Sequence, residues 1–161
     1  TAMSIGLRRF ADPSPDALSL WRLLYEILEH PGVINRRAHR AMYGALGASR
    51  ADSTFDNLVG RGRRVLSQRA VRSDLRAVED AHARIRRFVN KRVAHRTSPG
   101  ALRRPPTYRE LDRALRVFDR ILCKYNTLLT AVGMNTAYAT PQYDWRNVLR
   151  VAWMPEENEI D

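Results

Sequence analysis

The chain has 161 residues, 44% of them hydrophobic, and its 28 basic residues outweigh 17 acidic ones to give a formal net charge of +11. That length suits one domain with a core of its own and excludes two comfortable ones, and no apolar run nears the roughly 20 residues of a membrane span. The N-terminus lacks the charged, apolar and small-residue order of a secretory signal, and the single cysteine, Cys123, has no disulfide partner and no neighbour at metal-ligand spacing, so a soluble cytoplasmic protein is expected, with Cys123 a small core residue.

Apolar residues recur at helical rather than alternating spacing along almost the whole chain. Thr1-Ala2-Met3 reads as a remnant ahead of the natural start. Pro15 behind Ser14 predicts the opening of a first helix, with Leu18, Trp21, Leu24, Tyr25 and Leu28 as its apolar stripe and an end near His30-Pro31-Gly32. Residues 33–46 give a weaker second helix, and residues 53–59 a short third before the turn Gly60-Arg61-Gly62. From about Gln68, the apolar positions Val71, Leu75, Val78, His82, Ile85, Val89 and Val93 follow at intervals of three or four, which predicts a long core helix running close to His95. Thr97-Ser98-Pro99-Gly100 and Pro105-Pro106 break it. Thr107 with Glu110 makes a capping box, and Leu111, Leu115, Phe118, Leu122, Tyr125 and Leu129 carry the next helix to Gly133. Beyond it, Trp145, Val148, Leu149, Val151 and Trp153 form an aromatic extension expected to pack on the bundle or on a partner. Glu156, Glu157, Glu159 and Asp161 make an acidic tail expected to be disordered. The predicted fold is all-α, an antiparallel helical bundle of about four to five helices with a short aromatic C-terminal extension. One domain covers residues 1–155 and the tail residues 156–161.

The positive charge favours polyanionic partners, because clustered arginines raise local anion concentration and release counterions on binding nucleic acid. Only Lys91 and Lys124 are lysines, and an arginine skew of this kind also follows from coding bias in a GC-rich genome, so placement says more than residue type. Arg61, Arg63, Arg64, Arg69 and Arg72 gather before and at the start of the long helix. Arg84, Arg86, Arg87, Arg92, Arg96, Arg103 and Arg104 gather at its end.

Several chemistries find no support. Gly60-Arg61-Gly62 lacks the following Lys-Ser or Lys-Thr and the preceding strand of a phosphate-cradling loop. His30, His39, His82 and His95 fall on different elements with no pair four apart, and no cysteine or carboxylate completes a cluster, so neither a metal nor a cofactor is expected. His82 stands at a core position and is expected to be a hydrogen-bonded buried imidazole. His39, between Arg37 and Arg40, is expected on a solvated face.

One segment carries more chemistry than the rest. Asn90-Lys91-Arg92-Val93-Ala94-His95-Arg96 puts an imidazole among three cations and an amide, the groups needed to move a proton beside a phosphodiester. The plain reading is a solvated helix C-terminus, its cations favoured there by the helix dipole. Taken with the preceding Phe88-Val89 and the loop and capped helix that follow, the segment resembles the HEPN superfamily, specifically its abortive-infection-like branch. Phe55-Asp56-Asn57-Leu58-Val59-Gly60, Ser73-Asp74-Leu75 and Asp144-Trp145-Arg146 look like the other landmarks of that branch, so the resemblance covers most of the chain beyond about residue 50.

The resemblance implies an all-helical homodimer whose paired motifs face a shared cleft, and a metal-independent endoribonuclease of a toxin–antitoxin or antiphage (abortive infection) system. The family signature is an Arg followed after four to six residues by His, commonly with a polar residue directly behind the Arg. Asn90 and His95 match the polar and His positions, whereas the Arg position falls on Val89. On this reading His95 exchanges a proton with the RNA 2′-hydroxyl or the leaving 5′-oxygen, Arg92 stabilises the phosphorane charge, and Asn90 orients the His or the phosphate. Arg87, Lys91, Arg96, Arg103 and Arg104 are the RNA-binding cations, and an antitoxin or nucleotidyltransferase is the implied protein partner. A straight α-helix would set Lys91 and Arg92 within roughly 60° of His95. Two other readings stay open: a catalytically degenerate module that binds RNA, nucleotide or a protein partner, which Val89 favours, and a plain interaction protein that docks through Trp145 and Trp153.

Overall fold

The computed structural model describes residues 2–94 and 105–137, with the backbone alone for residues 2, 3 and 92–94. Six α-helices make up the bundle, and no strand occurs among the described residues. α1 spans Ala2–Phe10, α2 Leu20–Glu29, α3 Arg36–Met42, α4 Ala48–Val59, α5 Gln68–Phe88 and α6 Tyr108–Thr130. The all-α bundle expected from periodicity is what the chain adopts. The aromatic extension and acidic tail lie outside the described residues.

α5 and α6 form the frame. Ser67 opens α5 by accepting from the Ala70 amide, and Thr107 opens α6 with the full capping box: its hydroxyl accepts from the Glu110 amide while the Glu110 carboxylate accepts from the Thr107 amide at 2.7 Å. Two cross-links fix their relative direction. Asp74, early in α5, takes Lys124 late in α6 at 2.7 Å, and Arg84, late in α5, takes Glu110 at the start of α6 at 2.8 Å. The two helices therefore run antiparallel. Trp21 to Glu79 and Gln68 to the Leu28 carbonyl show the same reversed order for α2 against α5. Between these helices lies one core, with Leu24, Phe55, Val78, Ile85, Ile121 and Tyr125 almost fully buried.

The N-terminal half departs from the sequence expectations. Residues 2–10, whose start reads as a remnant, form α1, which buries Leu7 and stacks Phe10 on Phe118 at 6.2 Å. α2 begins at Leu20 and not at Pro15, because Ser19 is the residue whose side chain accepts from an amide of the first turn, that of Arg22. Ser14 is instead engaged in a turn with the Asp12 carboxylate, and Leu18 stands fully exposed. The weak second helix is only α3, capped by Asn35; Gly44, with φ of 68°, then breaks the chain before a short 3-10 turn over Ala45–Gly47 and the start of α4 at Ala48. His39 is not solvated but 1% exposed, its ring against Tyr43 and Phe55 and its Nδ1 3.3 Å from the Leu128 carbonyl. Cys123 is half-buried, its thiol directed to the Asp119 carboxylate.

No described helix is long and apolar enough to cross a membrane.

Candidate nucleic-acid interface

The end of α5 does not run on as α-helix. Val89 shares its amide between the Ile85 and Arg86 carbonyls, and from Val89 to Ala94 the backbone bonds as a π turn, i to i+5. Such turns stay short and concentrate at functional positions. Over Val89–Ala94 the backbone departs from the 100° per residue on which the expected placing of Lys91 and Arg92 beside His95 depends, and His95 itself lies outside the described residues.

Within this turn each side chain has a different setting. Val89 is 3% exposed and belongs to the hydrophobic core, Asn90 is half-buried and Lys91 exposed. Arg87, in the last turn of α5, is exposed, and Arg84 on the same helix pairs with Glu110. Arg92 has its backbone in the π turn. His95, Arg96, Arg103 and Arg104 lie outside the described residues. The structure thus brings Arg87, Asn90, Lys91 and the Arg92 backbone to one helix end, beside core-buried Val89.

The other sequence landmarks hold the fold. The Asp56 carboxylate accepts from the Arg36 guanidinium and the Gly62 amide, and Arg36 holds its pKa below the ordinary carboxylate range. Phe55 is wholly buried beneath that guanidinium, 4.9 Å from ring centroid to Cζ. Asp74 accepts from Lys124 and from the Tyr125 hydroxyl at 3.0 Å; burial, with that carboxylate beside it, pushes the phenol far up. Asp144-Trp145-Arg146 lies outside the described residues.

Two histidines carry unpartnered nitrogens. His82 is buried at the core position its spacing requires, and its Nε2, like that of His39, has no hydrogen-bond partner among the described residues. Burial lowers the His82 pKa to about 4, and the charges of Arg86 and Arg8 push the same way against Asp12. Among the described residues, no group of three His, Cys, Asp or Glu side chains converges as metal ligands would.

Sequence reasoning missed Arg36. It binds Asp52 at 3.1 Å, Asp56 and the Arg63 carbonyl at 2.9 Å, and so joins α3, α4 and the loop before α5. No local spacing signals it, because its partners stand 16 to 27 residues away.

Comparison of the chain with protein-family models, with curated proteins and with solved structures returns no match.

Proposed function

We propose that this chain is a HEPN-like RNA-binding protein of a toxin–antitoxin or antiphage system that acts in the cytoplasm as a metal-independent endoribonuclease. The observation that supports it best is the π turn at Val89–Ala94, which falls on the one segment whose residues suit phosphodiester chemistry, with Arg87 and Lys91 exposed beside it. His95 takes the proton of the RNA 2′-hydroxyl as that oxygen attacks the phosphorus. The 5′-oxygen leaves and receives a proton, giving a 2′,3′-cyclic phosphate and a 5′-hydroxyl. Arg92, with Lys91 or Arg96, offsets the charge that builds on the phosphorane. Arg87, Arg103 and Arg104 hold the flanking phosphates. A homodimer supplies the second half of the cleft, and an antitoxin or nucleotidyltransferase restrains it.

The test is cleavage of a labelled RNA by the full chain. Activity persists in EDTA, is lost in His95→Ala and falls about 10²- to 10³-fold in Arg92→Ala, the scale for removing one preorganised charge-stabilising donor. Absence of cleavage, or a His95→Ala variant as fast as the parent, overturns the catalytic assignment.

A second reading has its own observation. Val89, where the family's Arg would stand, is 3% exposed in the core, which leaves that position without a guanidinium and favours a degenerate module that binds RNA, nucleotide or a protein without cutting. Salt-dependent RNA binding without cleavage selects it.

A further inference from the structure

At the other end of α5, a groove of about 500 Å³ opens between the start of α3 and the segment leading into α5. Asn35, Arg36, Arg37, Arg40, Arg64 and Val65 line it, so that four of its lining residues are arginines and, among the described residues, none is acidic; much of the wall is their aliphatic stems. The 21 residues of α5 span about 30 Å, so this groove is a place separate from the π turn.

Its walls are fixed. An antiparallel bridge pairs Asn35 with Val65: the Arg36 amide donates to the Arg64 carbonyl at 2.8 Å and the Leu66 amide to the Ile34 carbonyl at 3.1 Å. Arg36 is spent as a brace, since its guanidinium is occupied by Asp52, Asp56 and the Arg63 carbonyl. Asp56 also accepts from the Gly62 amide at 3.0 Å, where φ of 71° suits glycine, so the loop carrying Arg61, Arg63 and Arg64 is tied to the same carboxylate. Arg37 and Arg64 are exposed, and Arg40 approaches Asp52 through its Nε at 3.6 Å. Among the described residues two carboxylates, Asp52 and Asp56, thus stand against Arg36, Arg37, Arg40, Arg61, Arg63 and Arg64, on a backbone tied by the bridge and the Gly62 contact.

The chemistry of the lining selects the ligand. Guanidinium forks match phosphate oxygens two at a time. Among the described residues no aromatic ring lines the groove to stack a base, and the Asn35 amide is held to the backbone: its Oδ1 accepts from the Ala38 amide and its Nδ2 donates to the Gly32 carbonyl, both at 2.9 Å. A mononucleotide would lack a base pocket here, whereas a polymer needs only its phosphates held. We propose that this groove binds the phosphate backbone of a nucleic acid irrespective of sequence, a contact that does not depend on His95 or on the α5 end.

The experiment is fluorescence anisotropy of the full chain with a labelled 20-nucleotide RNA, and separately its DNA counterpart, between 50 and 200 mM salt. Replacing Arg37, Arg40 and Arg64 by Ala is expected to weaken binding at least 10-fold at 100 mM salt and to flatten the log–log salt slope by about two to three. The three Lys replacements are expected to keep the slope. Equal losses on RNA and DNA mark a shared backbone contact, and loss on RNA alone marks a contact through the 2′-hydroxyl and overturns the backbone assignment. Arg37→Glu alone serves if the triple variant fails to fold by circular dichroism. A folded groove variant with unchanged affinity and slope overturns the proposal. If Arg87→Ala with Lys91→Ala weakens binding while the groove variant does not, the groove assignment fails and the α5 interface stands. If neither nucleic acid binds but polyglutamate does, and the groove variant abolishes that, the groove takes an acidic protein and the proposal fails.

Discussion

His82 is 3% exposed on α5, with Arg8, Asp12 and Arg86 around it, and burial holds its pKa near 4 against about 6.5 for a free imidazole. It is therefore neutral in the folded protein at pH 5, while the unfolded chain takes up the proton as pH falls through 6.5. Stability from this residue is complete above pH 6.5 and declines to about pH 4, by about 3 kcal/mol across the window. Urea midpoints at pH 7.5 and 5 measure the decline, and His82→Leu should flatten it; an equal pH dependence in the variant would mean that the proton is taken up elsewhere. Val89 makes the opposite point at residue scale. Val89→Arg, which would supply the cation of the proposed motif, puts a guanidinium at a position 3% exposed, which should cost about 3 kcal/mol or more and lower Tm by about 6 °C or more. Unchanged Tm would show that the side chain escapes to water.

At the scale of elements, α6 depends on its first turn. Thr107→Ala should destabilise the protein by about 1 kcal/mol, read as a shift in urea midpoint with unchanged slope. The exposed part of that assembly, Arg84 with Glu110, adds less than about 1 kcal/mol. α5 and α6 were legible in the sequence because each is long, keeps one apolar stripe and carries its own start signal. α1 was not, since nine residues with two terminal arginines give a weak pattern and its burial comes from packing on distant Phe118. The start of α2 was misplaced because Ser14-Pro15 satisfies the local rule as well as Ser19 does, and only the Asp12 turn separates them. His39 misled for a related reason: flanking arginines predict solvent, but on a short helix its ring faces Phe55 while Arg37 and Arg40 face the groove. Of the site, Arg87, Asn90 and Lys91 fell at the helix end that spacing indicated. The π turn did not announce itself, because i to i+5 bonding leaves no periodic mark in six residues.

For the whole molecule, positive charge at both ends of a long helix sets the expectations. A shared cleft requires two copies, so light scattering should report about twice the 18.5 kDa chain mass, and a strictly monomeric species at high micromolar concentration would remove that part of the functional reading. The π turn also bears on how this chain tolerates insertion and deletion. A turn closed from i to i+5 encloses one residue more than the α-helix needs, so dropping a single residue at Asn90 or Lys91 lets the backbone relax into ordinary α-helix without shortening α5. The wider turn absorbs that extra residue, so its removal keeps the helical phase instead of rotating it. A one-residue deletion in this turn is thereby expected to be mild, whereas the same deletion within α5 itself would turn everything beyond it by about 100° against the core.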